Sequence, residues 1–295
     1  MKCSCGKRAI YHRKWEGRYY CGACLSEQVE KLFKKGLREE NVPRKGKIAI
    51  GVSGGKDSMV LLTLAWKYLR HTHEIVPIII NEGIAGYRPP SMETAIGYME
   101  KLGLEPVVGK FSDVALDLDE MVRKGLREKP CTICGAFRRY LLNRLAREAG
   151  ADVLLTGHNL DDMAESVMLN FLKNDWGRFV RLGSTVKQEG FVRRARPLKW
   201  VPEKEVVIYA HVNGIPYHDA ECPYSMDNMR RDILDAINRL EEKYPGTKIQ
   251  IAKFYERLAS EILSETGKAR KCKICGEPSS GEICRVCEIK GKING

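Results

Sequence analysis

Apolar and polar residues alternate along most of the chain in a pattern that predicts strands and helices in turn. Apolar runs predict strands at residues 47–52, 75–80, 106–108 and 151–156. Segments with one apolar face predict helices at residues 58–69, 91–102, 134–149 and 161–172. Short apolar strands that alternate with helices of this length are typical of a parallel sheet with helices on both faces. The predicted fold class is therefore α/β, with a doubly wound parallel sheet.

Composition divides the chain into five predicted segments. A cysteine-rich module spans residues 1–25, a charged linker helix residues 26–45, and the α/β domain residues 46–220. A helical extension is expected at residues 221–268, with helices near 226–242 and 249–265, before a second cysteine-rich module at 269–295. Right-handed crossovers place the loops after parallel strands at one sheet edge, so we expect a ligand site there.

The chain is basic, with a formal net charge of +12, and its basic residues occur in clumps at 123–129, 138–139, 193–196 and 268–273. Such a charge favours a polyanionic partner such as nucleic acid, because binding releases counterions from the phosphates. Lysine- and glutamate-rich surfaces also occur in thermophilic proteins that do not bind nucleic acid. No apolar run approaches the roughly 20 residues of a membrane span, and the first residues lack an apolar signal region. We expect a cytoplasmic protein without membrane contact.

Eleven cysteines fall into two terminal groups and one central group, which in a cytosolic chain indicates metal or redox chemistry rather than disulfides. The carboxy-terminal group forms two CxxC pairs, typical of a zinc ribbon: Cys272, Cys275, Cys284 and Cys287. The amino-terminal group is a second four-thiolate set, with His12 as a possible substitute ligand: Cys3, Cys5, Cys21 and Cys24. Both predicted zinc sites are structural, since four thiolates leave no open position. They would either staple the termini or present basic residues to RNA, namely Lys7, Arg8, Arg13, Lys14, Lys271 and Lys273.

A glycine-rich turn follows the first predicted strand and contains Ser53, Gly54, Gly55, Lys56, Asp57 and Ser58. A turn of this kind at a helix amino terminus exposes backbone N–H groups that bind phosphate. It is not a Walker A loop, because Lys56 is followed by Asp57 rather than by serine or threonine. The simpler alternative is an ordinary tight turn between a strand and a helix.

A second polar segment follows the fourth predicted strand and contains Gly157, His158, Asn159, Asp161 and Asp162. Two adjacent carboxylates at the start of a helix can simply cap it. Beside a nucleotide they can instead coordinate Mg²⁺ or accept a proton. His158 is as compatible with a structural role as with a functional one.

The three central cysteines are Cys131, Cys134 and Cys222. They could form a redox pair with an additional thiol, or be incidental small residues of the core. They could also bind an iron–sulfur cluster through three thiolates and leave one iron open. The residue chemistry does not distinguish between these three interpretations.

Family resemblance ranks these three interpretations and favours the cluster. Residues 53–58 resemble the SGGxDS signature of PP-loop ATP pyrophosphatases. Together with residues 131–139, 157–165, 221–223 and both cysteine-rich ends, they make nearly the whole chain similar to the tRNA 2-thiouridine synthetase family. The resemblance implies an adenine nucleotide α-hydrolase-like fold and ATP cleavage between the α- and β-phosphates. It also implies that a uridine O2 is adenylylated and then replaced by sulfur.

The resemblance also implies roles for individual residues. Pyrophosphate would bind to Ser53, Gly54, Gly55 and Ser58, with charge from Lys56, and Asp57 would help to hold Mg²⁺. Asp162 would be the catalytic carboxylate, and the nucleotide site would be lined by Gly157, Asn159 and Asp161, with Asn81 near the adenosine. A [4Fe–4S] cluster would be held by Cys131, Cys134 and Cys222, with the transferred sulfur on its open iron.

The implied partners are tRNA, a sulfur source that is either sulfide or a ubiquitin-like carrier protein, and a second copy of the chain in a homodimer. Some T-loop enzymes of the family have a catalytic lysine where this chain has Arg138. Arginine exchanges protons poorly, so Arg138 is expected to stabilise a phosphate or a developing oxyanion. Residues 137–139 and 161–165 are closer to the wobble-uridine relatives, and the target position stays open.

Three alternatives remain from the sequence. Sulfur could move as a persulfide on one of the central cysteines without a cluster. The chain could be a PP-loop synthetase that makes small-molecule amides, although this leaves the cysteines without a role. It could also be a non-catalytic zinc protein that binds RNA.

Overall fold

The computed structural model of the protein describes residues 1–126, 128–180, 182, 190–225, 229–262 and 270–294. The amino-terminal elements are β1 (Tyr11–Arg13), β2 (Arg18–Tyr20) and α1 (Gly22–Glu39). The α/β region contains β3 (Gly46–Gly51), α2 (Lys56–Leu69), β4 (His73–Asn81), α3 (Arg88–Lys101), β5 (Val107–Lys110), α4 (Leu118–Arg123), α5 (Pro130–Glu148), β6 (Val153–Leu155), α6 (Leu160–Leu172), α7 (Trp176–Val180), β7 (Arg193–Ala195) and α8 (Glu203–Val212). The carboxy-terminal elements are α9 (Met229–Lys243), α10 (Thr247–Ile262), β8 (Arg270–Lys271), β9 (Pro278–Ser279) and α11 (Arg285–Asn294).

The central sheet has the strand order β5-β4-β3-β6-β7, and all neighbouring strands are parallel. In the middle strand, Ile48 is opposite Ile75 of β4 on one side and Val153 of β6 on the other. The chain therefore winds outward from β3 in both directions. This arrangement confirms the predicted doubly wound α/β fold and places the ends of β3 and β6 side by side.

Each face of the sheet has its own apolar core, because successive side chains of a strand point to opposite faces. Ile48 and Ile50 of β3 pack into the core that contains α1, α2 and α8, whereas Ala49 packs into the core that contains α4, α5 and α11. Leu154 of β6 also faces the second core, between two residues that face the first. Burial on both faces explains why these strands read as continuous apolar runs.

Two helices begin earlier in the structure than the sequence predicted. Helix α5 begins at Pro130, rather than at residue 134, because proline suits the first turn of a helix. Both cysteines of the central CxxC therefore lie within the first five residues of this helix. Helix α1 begins at Gly22, so it runs across the predicted module boundary at residue 25. The predicted helices at 226–242 and 249–265 correspond to α9 and α10, and their residues 226–228 and 263–265 lie outside the described residues.

Helices α9 and α10 cover the helix that follows β6. Tyr255 of α10 packs with Met163 and Val167 of α6, and Ile233 of α9 packs with Ala164. Among the described residues, no helix is both long and apolar enough to cross a membrane.

The two terminal modules dock on opposite faces of the sheet. In the amino-terminal module, Arg13 is only 3% exposed and makes two hydrogen bonds to Glu205 of α8, at 2.8 and 2.6 Å. Arg13 is therefore not available to RNA, contrary to prediction. The carboxy-terminal module shares an apolar core with Ile133 and Phe137 of α5.

Candidate functional site

The phosphate loop, residues 53–58, joins the end of β3 to the start of α2. Its turn is held by Ser58 Oγ, which accepts a hydrogen bond from the Ser53 N–H (3.0 Å) and donates one to the Gly55 carbonyl (2.9 Å). Gly54 has a φ of +87°, and a Cβ there would lie 2.1 Å from the carbonyl oxygen of Ser91. Only glycine fits this position. The loop thus leads into a helix amino terminus whose free N–H groups can bind phosphate.

The charged residues of the loop already contact one another and the second polar segment. Lys56 Nζ lies 2.8 Å from Glu203 and 3.3 Å from Asp57. Asn159 Nδ2 donates to Asp57 Oδ1 at 2.9 Å, and a Cβ on Gly157 would lie 2.9 Å from the Asp57 backbone. Burial raises the pKa of the Asp57 carboxyl although Lys56 favours its charged form. The two segments that the sequence separates by about a hundred residues therefore form one site.

Asp162 caps α6, and its carboxyl group has a raised pKa. Its Oδ2 accepts a hydrogen bond from the Asn159 N–H (3.0 Å), while Asn159 Oδ1 accepts one from the Asp162 N–H (3.0 Å). Burial, and then the charges of Asp57 and Glu165, raise the pKa of Asp162 to about 7. The same side chain can thus cap the helix and also act as an acid or base.

Two other residues assigned to the nucleotide site are bonded to the protein itself. Asp161 is 6% exposed, and its carboxylate accepts hydrogen bonds from Lys248 Nζ and from the Glu203 N–H (2.9 Å). Asp161 thereby anchors α10, and a direct contact with nucleotide stays a prediction. Asn81 Oδ1 accepts a hydrogen bond from the Gly83 N–H (2.9 Å) at the edge of a cavity of about 330 Å³. Its contact with adenosine also stays a prediction.

The thiol centre consists of Cys131, Cys134 and Cys222. The first two lie three residues apart, on one face of the first turn of α5. Cys131 Sγ donates a hydrogen bond to the carbonyl of Tyr224 (3.2 Å), two residues after Cys222. The segment that carries Cys222 is joined to the phosphate loop, since the His218 N–H donates to the Gly54 carbonyl (2.9 Å).

Two of the three thiols of the thiol centre have a raised pKa. Burial raises the pKa of Cys134 to about 11. Burial also raises the pKa of Cys222, with a further contribution from the charge of Cys131. Metal groups bind thiolates, so a group bound at Cys134 and Cys222 would have to displace the protons of these two thiols.

Each terminal group of four thiols is compact enough for one ion. In both groups the four sulfur atoms lie within 4.8 Å of one another. In the amino-terminal group this set is complete without His12, whose ring stacks on Tyr19 at 4.1 Å. Within the described part of the chain, the thiol centre is not such a compact group. A wider spacing suits thiolates that bind different iron atoms of a cluster.

The His158 side chain is exposed, and its Nδ1 lies 2.9 Å from Thr156 Oγ1. The protein around the ring, and then the charges of four arginines from distant parts of the chain, lower the pKa of His158. We define the arginine rim as these four residues: Arg138, Arg194, Arg196 and Arg230. The sequence showed two of its basic clumps separately, and gave no signal that Arg230 would join them.

Glu82 and Arg88 are two further buried charges beside the site that the sequence analysis did not single out. Glu82 Oε2 lies 2.8 Å from Arg88 Nε, and Arg88 Nη1 donates to the Ser53 carbonyl at 2.6 Å. The position of Glu82 directly after β4, at the edge where ligands bind, was the available signal.

A phosphate loop, a carboxyl group with a raised pKa and a thiol centre lie at one edge of the sheet. Together they define a nucleotide-dependent α/β enzyme. The PP-loop domain family matches residues 24–239. The tRNA 2-thiolation protein NcsA of Haloferax volcanii is 37% identical over 98% of this chain and 98% of its own. The tRNA-5-methyluridine(54) 2-sulfurtransferase of Pyrococcus horikoshii is 33% identical over 98% of this chain and 94% of its own.

A solved structure extends the similarity to the whole fold. The U34-tRNA thiolase NcsA from Methanococcus maripaludis, with its [4Fe–4S] cluster, matches with a TM-score of 0.87 and 38% identity. The match covers 99% of this chain and 96% of that protein. The chain therefore belongs to the PP-loop family, within the group of tRNA 2-thiolation proteins.

Proposed function

We propose that this protein uses ATP to replace the C2 oxygen of a tRNA uridine with sulfur. The observation that carries the proposal is the position of Cys131, Cys134 and Cys222. These cysteines belong to neither terminal four-thiol group, and the segment that carries Cys222 is hydrogen-bonded to the phosphate loop. A small-molecule synthetase would have no use for this arrangement.

In the first step, the uridine O2 attacks the α-phosphorus of ATP and pyrophosphate leaves. Backbone N–H groups at the start of α2 bind the pyrophosphate, and Lys56 exchanges its partner Glu203 for a phosphate oxygen. Asp57 fits a role as a Mg²⁺ ligand, since its carboxylate lies at the same loop. The attack of O2 releases the N3 proton of the base, and Asp162, with a pKa of about 7, accepts it.

In the second step, a sulfur nucleophile attacks C2, the C–O bond breaks and AMP leaves. Cys131, Cys134 and Cys222 fit a [4Fe–4S] cluster, which when bound would supply an iron with an open position for sulfur. Arg138, one turn after Cys134 on α5, provides positive charge beside the thiol centre, where negative charge develops on the departing AMP. The terminal four-thiol groups are proposed to bind two structural Zn²⁺ ions.

The arginine rim is proposed to bind the tRNA backbone, and the target base must be exposed or flipped to reach the site. The wobble uridine is the preferred target, because the solved relative with 38% identity is a U34 thiolase. The relative that acts on position 54 is 33% identical. Sulfide or a ubiquitin-like carrier protein as sulfur donor, and a homodimeric assembly, remain parts of this proposal.

The test is nucleoside mass spectrometry after anaerobic incubation of unmodified tRNA with iron-loaded protein, ATP, Mg²⁺ and sulfide. We expect 2-thiouridine in the anticodon fragment and none in the T-loop fragment. Asp162→Asn is expected to lower the rate about 100-fold or more, the usual contribution of a general base. Asp175→Asn is the matched control, because Asp175 accepts from the Arg178 N–H at the start of α7, beyond the opposite end of α6.

Two results would contradict the proposal. ATP consumption without any thiolated base would redirect the search to small-molecule substrates. Full activity in protein that lacks iron and acid-labile sulfide would favour the persulfide route on the same cysteines.

A further inference from the structure

We propose that Glu82 is a positioning residue that couples nucleotide binding at the phosphate loop to the state of the thiol centre. Its carboxylate contacts one arginine that holds the phosphate loop and a second arginine that lies beside Cys134. The inference rests on the proposed function, because it takes the thiol centre to be the site of the iron–sulfur cluster.

The first contact leads to the phosphate loop. Glu82 and Arg88 are 5% and 3% exposed, and Glu82 Oε2 lies 2.8 Å from Arg88 Nε. Arg88 Nη1 donates to the carbonyl of Ser53 (2.6 Å) and to Ser91 Oγ (3.1 Å). Ser91 is also the residue whose carbonyl oxygen packs against Gly54. Arg88 therefore holds the loop through Ser53 and contacts the helix residue on which Gly54 rests.

The second contact leads to the thiol centre. Glu82 Oε1 lies 3.5 Å from Arg138 Nε. Arg138 is four residues after Cys134 on α5, so the two side chains lie on the same face of that helix. Unlike Arg88, the Arg138 side chain is 48% exposed, so it has room to move. Arg138 is therefore the residue of this network that can respond to a group bound at the thiol centre.

These contacts make the two arginines compete for one buried carboxylate. A group bound by Cys131, Cys134 and Cys222 would lie next to Arg138, and an Arg138 side chain that turns towards this group leaves Glu82 to pair with Arg88 alone. A stronger Glu82–Arg88 pair fixes Ser53 more firmly, so the loop is better ordered for phosphate. The backbone of Glu82 stays in place meanwhile, because its carbonyl accepts from the Leu118 N–H at 2.8 Å.

The coupling is reciprocal by thermodynamic necessity, which provides a test that does not depend on turnover. The dissociation constant of a non-hydrolysable ATP analogue is measured anaerobically for iron-free and iron-loaded protein. We expect the iron-loaded wild-type protein to bind the analogue about fivefold or more tightly, the lower end of typical coupling. In Glu82→Gln the ratio of the dissociation constants of iron-free and iron-loaded protein is expected to fall to about one, while the variant still binds the analogue.

Glu205→Gln is the matched control. Glu205 is also a buried carboxylate paired with an arginine, but its partner is Arg13 in the amino-terminal module. Loss of a buried ion pair destabilises both variants. Only Glu82→Gln is expected to change the affinity ratio. If both variants keep the wild-type ratio, Glu82 is a structural residue and the inference is wrong.

A second variant and a second readout guard against misfolding of Glu82→Gln. Arg88→Lys keeps the positive charge but cannot contact Glu82, Ser53 and Ser91 together. Iron loading should therefore no longer tighten binding of the ATP analogue in this variant either. In the reverse direction, the ATP analogue should slow the loss of iron to a chelator in wild-type protein but not in Glu82→Gln. If iron-free and iron-loaded wild-type protein bind the analogue equally tightly, the inference is wrong even if the protein thiolates tRNA. A protein that shows the ratio but forms no 2-thiouridine would refute only the proposed function.

Discussion

The raised pKa of Asp162 makes a quantitative prediction about stability as a function of pH. Burial and the charge of Asp57 bring this pKa to about 7, whereas an aspartate in an unfolded chain has a pKa of about 3.9. Between these values the unfolded chain releases a proton that the folded protein retains. The free energy of unfolding contributed by this group is therefore fully present below about pH 4 and is lost as the pH rises to about 7.

The size of the effect follows from the difference between the two pKa values. At about 1.4 kcal/mol per pH unit, it corresponds to a loss of at most about 4 kcal/mol by pH 7. The side chain is partly accessible to water, so about 2 kcal/mol is a reasonable expectation. Asp162→Asn removes the titration but preserves the cap, since an amide oxygen can still accept from the Asn159 N–H.

The assay is urea unfolding of nucleotide-free protein at several pH values between 4.5 and 8, for wild type and Asp162→Asn. The variant should gain about 2 kcal/mol relative to wild type across this range. Glu165 also has a pKa raised to about 7, but it is present in both proteins, so the part of its titration that does not depend on Asp162 cancels. The free energy of unfolding of Asp175→Asn should change with pH in the same way as that of the wild type. A stability difference between Asp162→Asn and wild type that is the same at pH 5 and pH 8 would refute the assignment.

Two further predictions follow from the geometry of the loop and of the carboxy-terminal module. Gly54→Ala should abolish ATP consumption, measured as pyrophosphate release, because the new Cβ would lie 2.1 Å from the Ser91 carbonyl oxygen. Gly97→Ala is the control and should leave ATP consumption intact, because a Cβ there meets no atom within 4 Å. Cys275→Ser should lose the carboxy-terminal metal and also lower the iron retained at the thiol centre after desalting, since that module packs on α5. Normal iron retention in zinc-free Cys275→Ser protein would show that the module does not support the thiol centre.

The parts of the fold that the sequence predicted are those with a local signal. Strands β3, β4 and β6 are buried on both faces, so each appears as an apolar run. Strand β7 was missed because two of its three residues are Arg193 and Arg194, and only Ala195 is fully buried. An edge strand of this kind has neither an apolar run nor an alternating pattern. Its arginines were interpreted as surface charge, although Arg194 contributes to the site.

The candidate site divides in the same way between local and non-local features. The phosphate loop and the cysteine pairs are recognisable because their residues are adjacent in the chain. The Glu82 network is not, since it joins residues from β4, α3 and α5 that meet only after the sheet forms. Spacing along the chain carries no information about such contacts, and a buried charge cannot be distinguished from a surface charge by residue type alone.

The terminal modules illustrate how docking changes the meaning of a sequence feature. As isolated four-thiol groups they could serve only to staple the ends of the chain or to present basic residues to RNA. In the structure, Arg13 of the first module is buried against Glu205, and Cys272, Cys284 and Cys287 of the second share a core with Ile133. Because Ile133 lies between the two cysteines of the central CxxC, a metal ion bound by the carboxy-terminal thiols would order the same packed residues that support the thiol centre. A structural metal site can in this way contribute to catalysis without contacting the substrate.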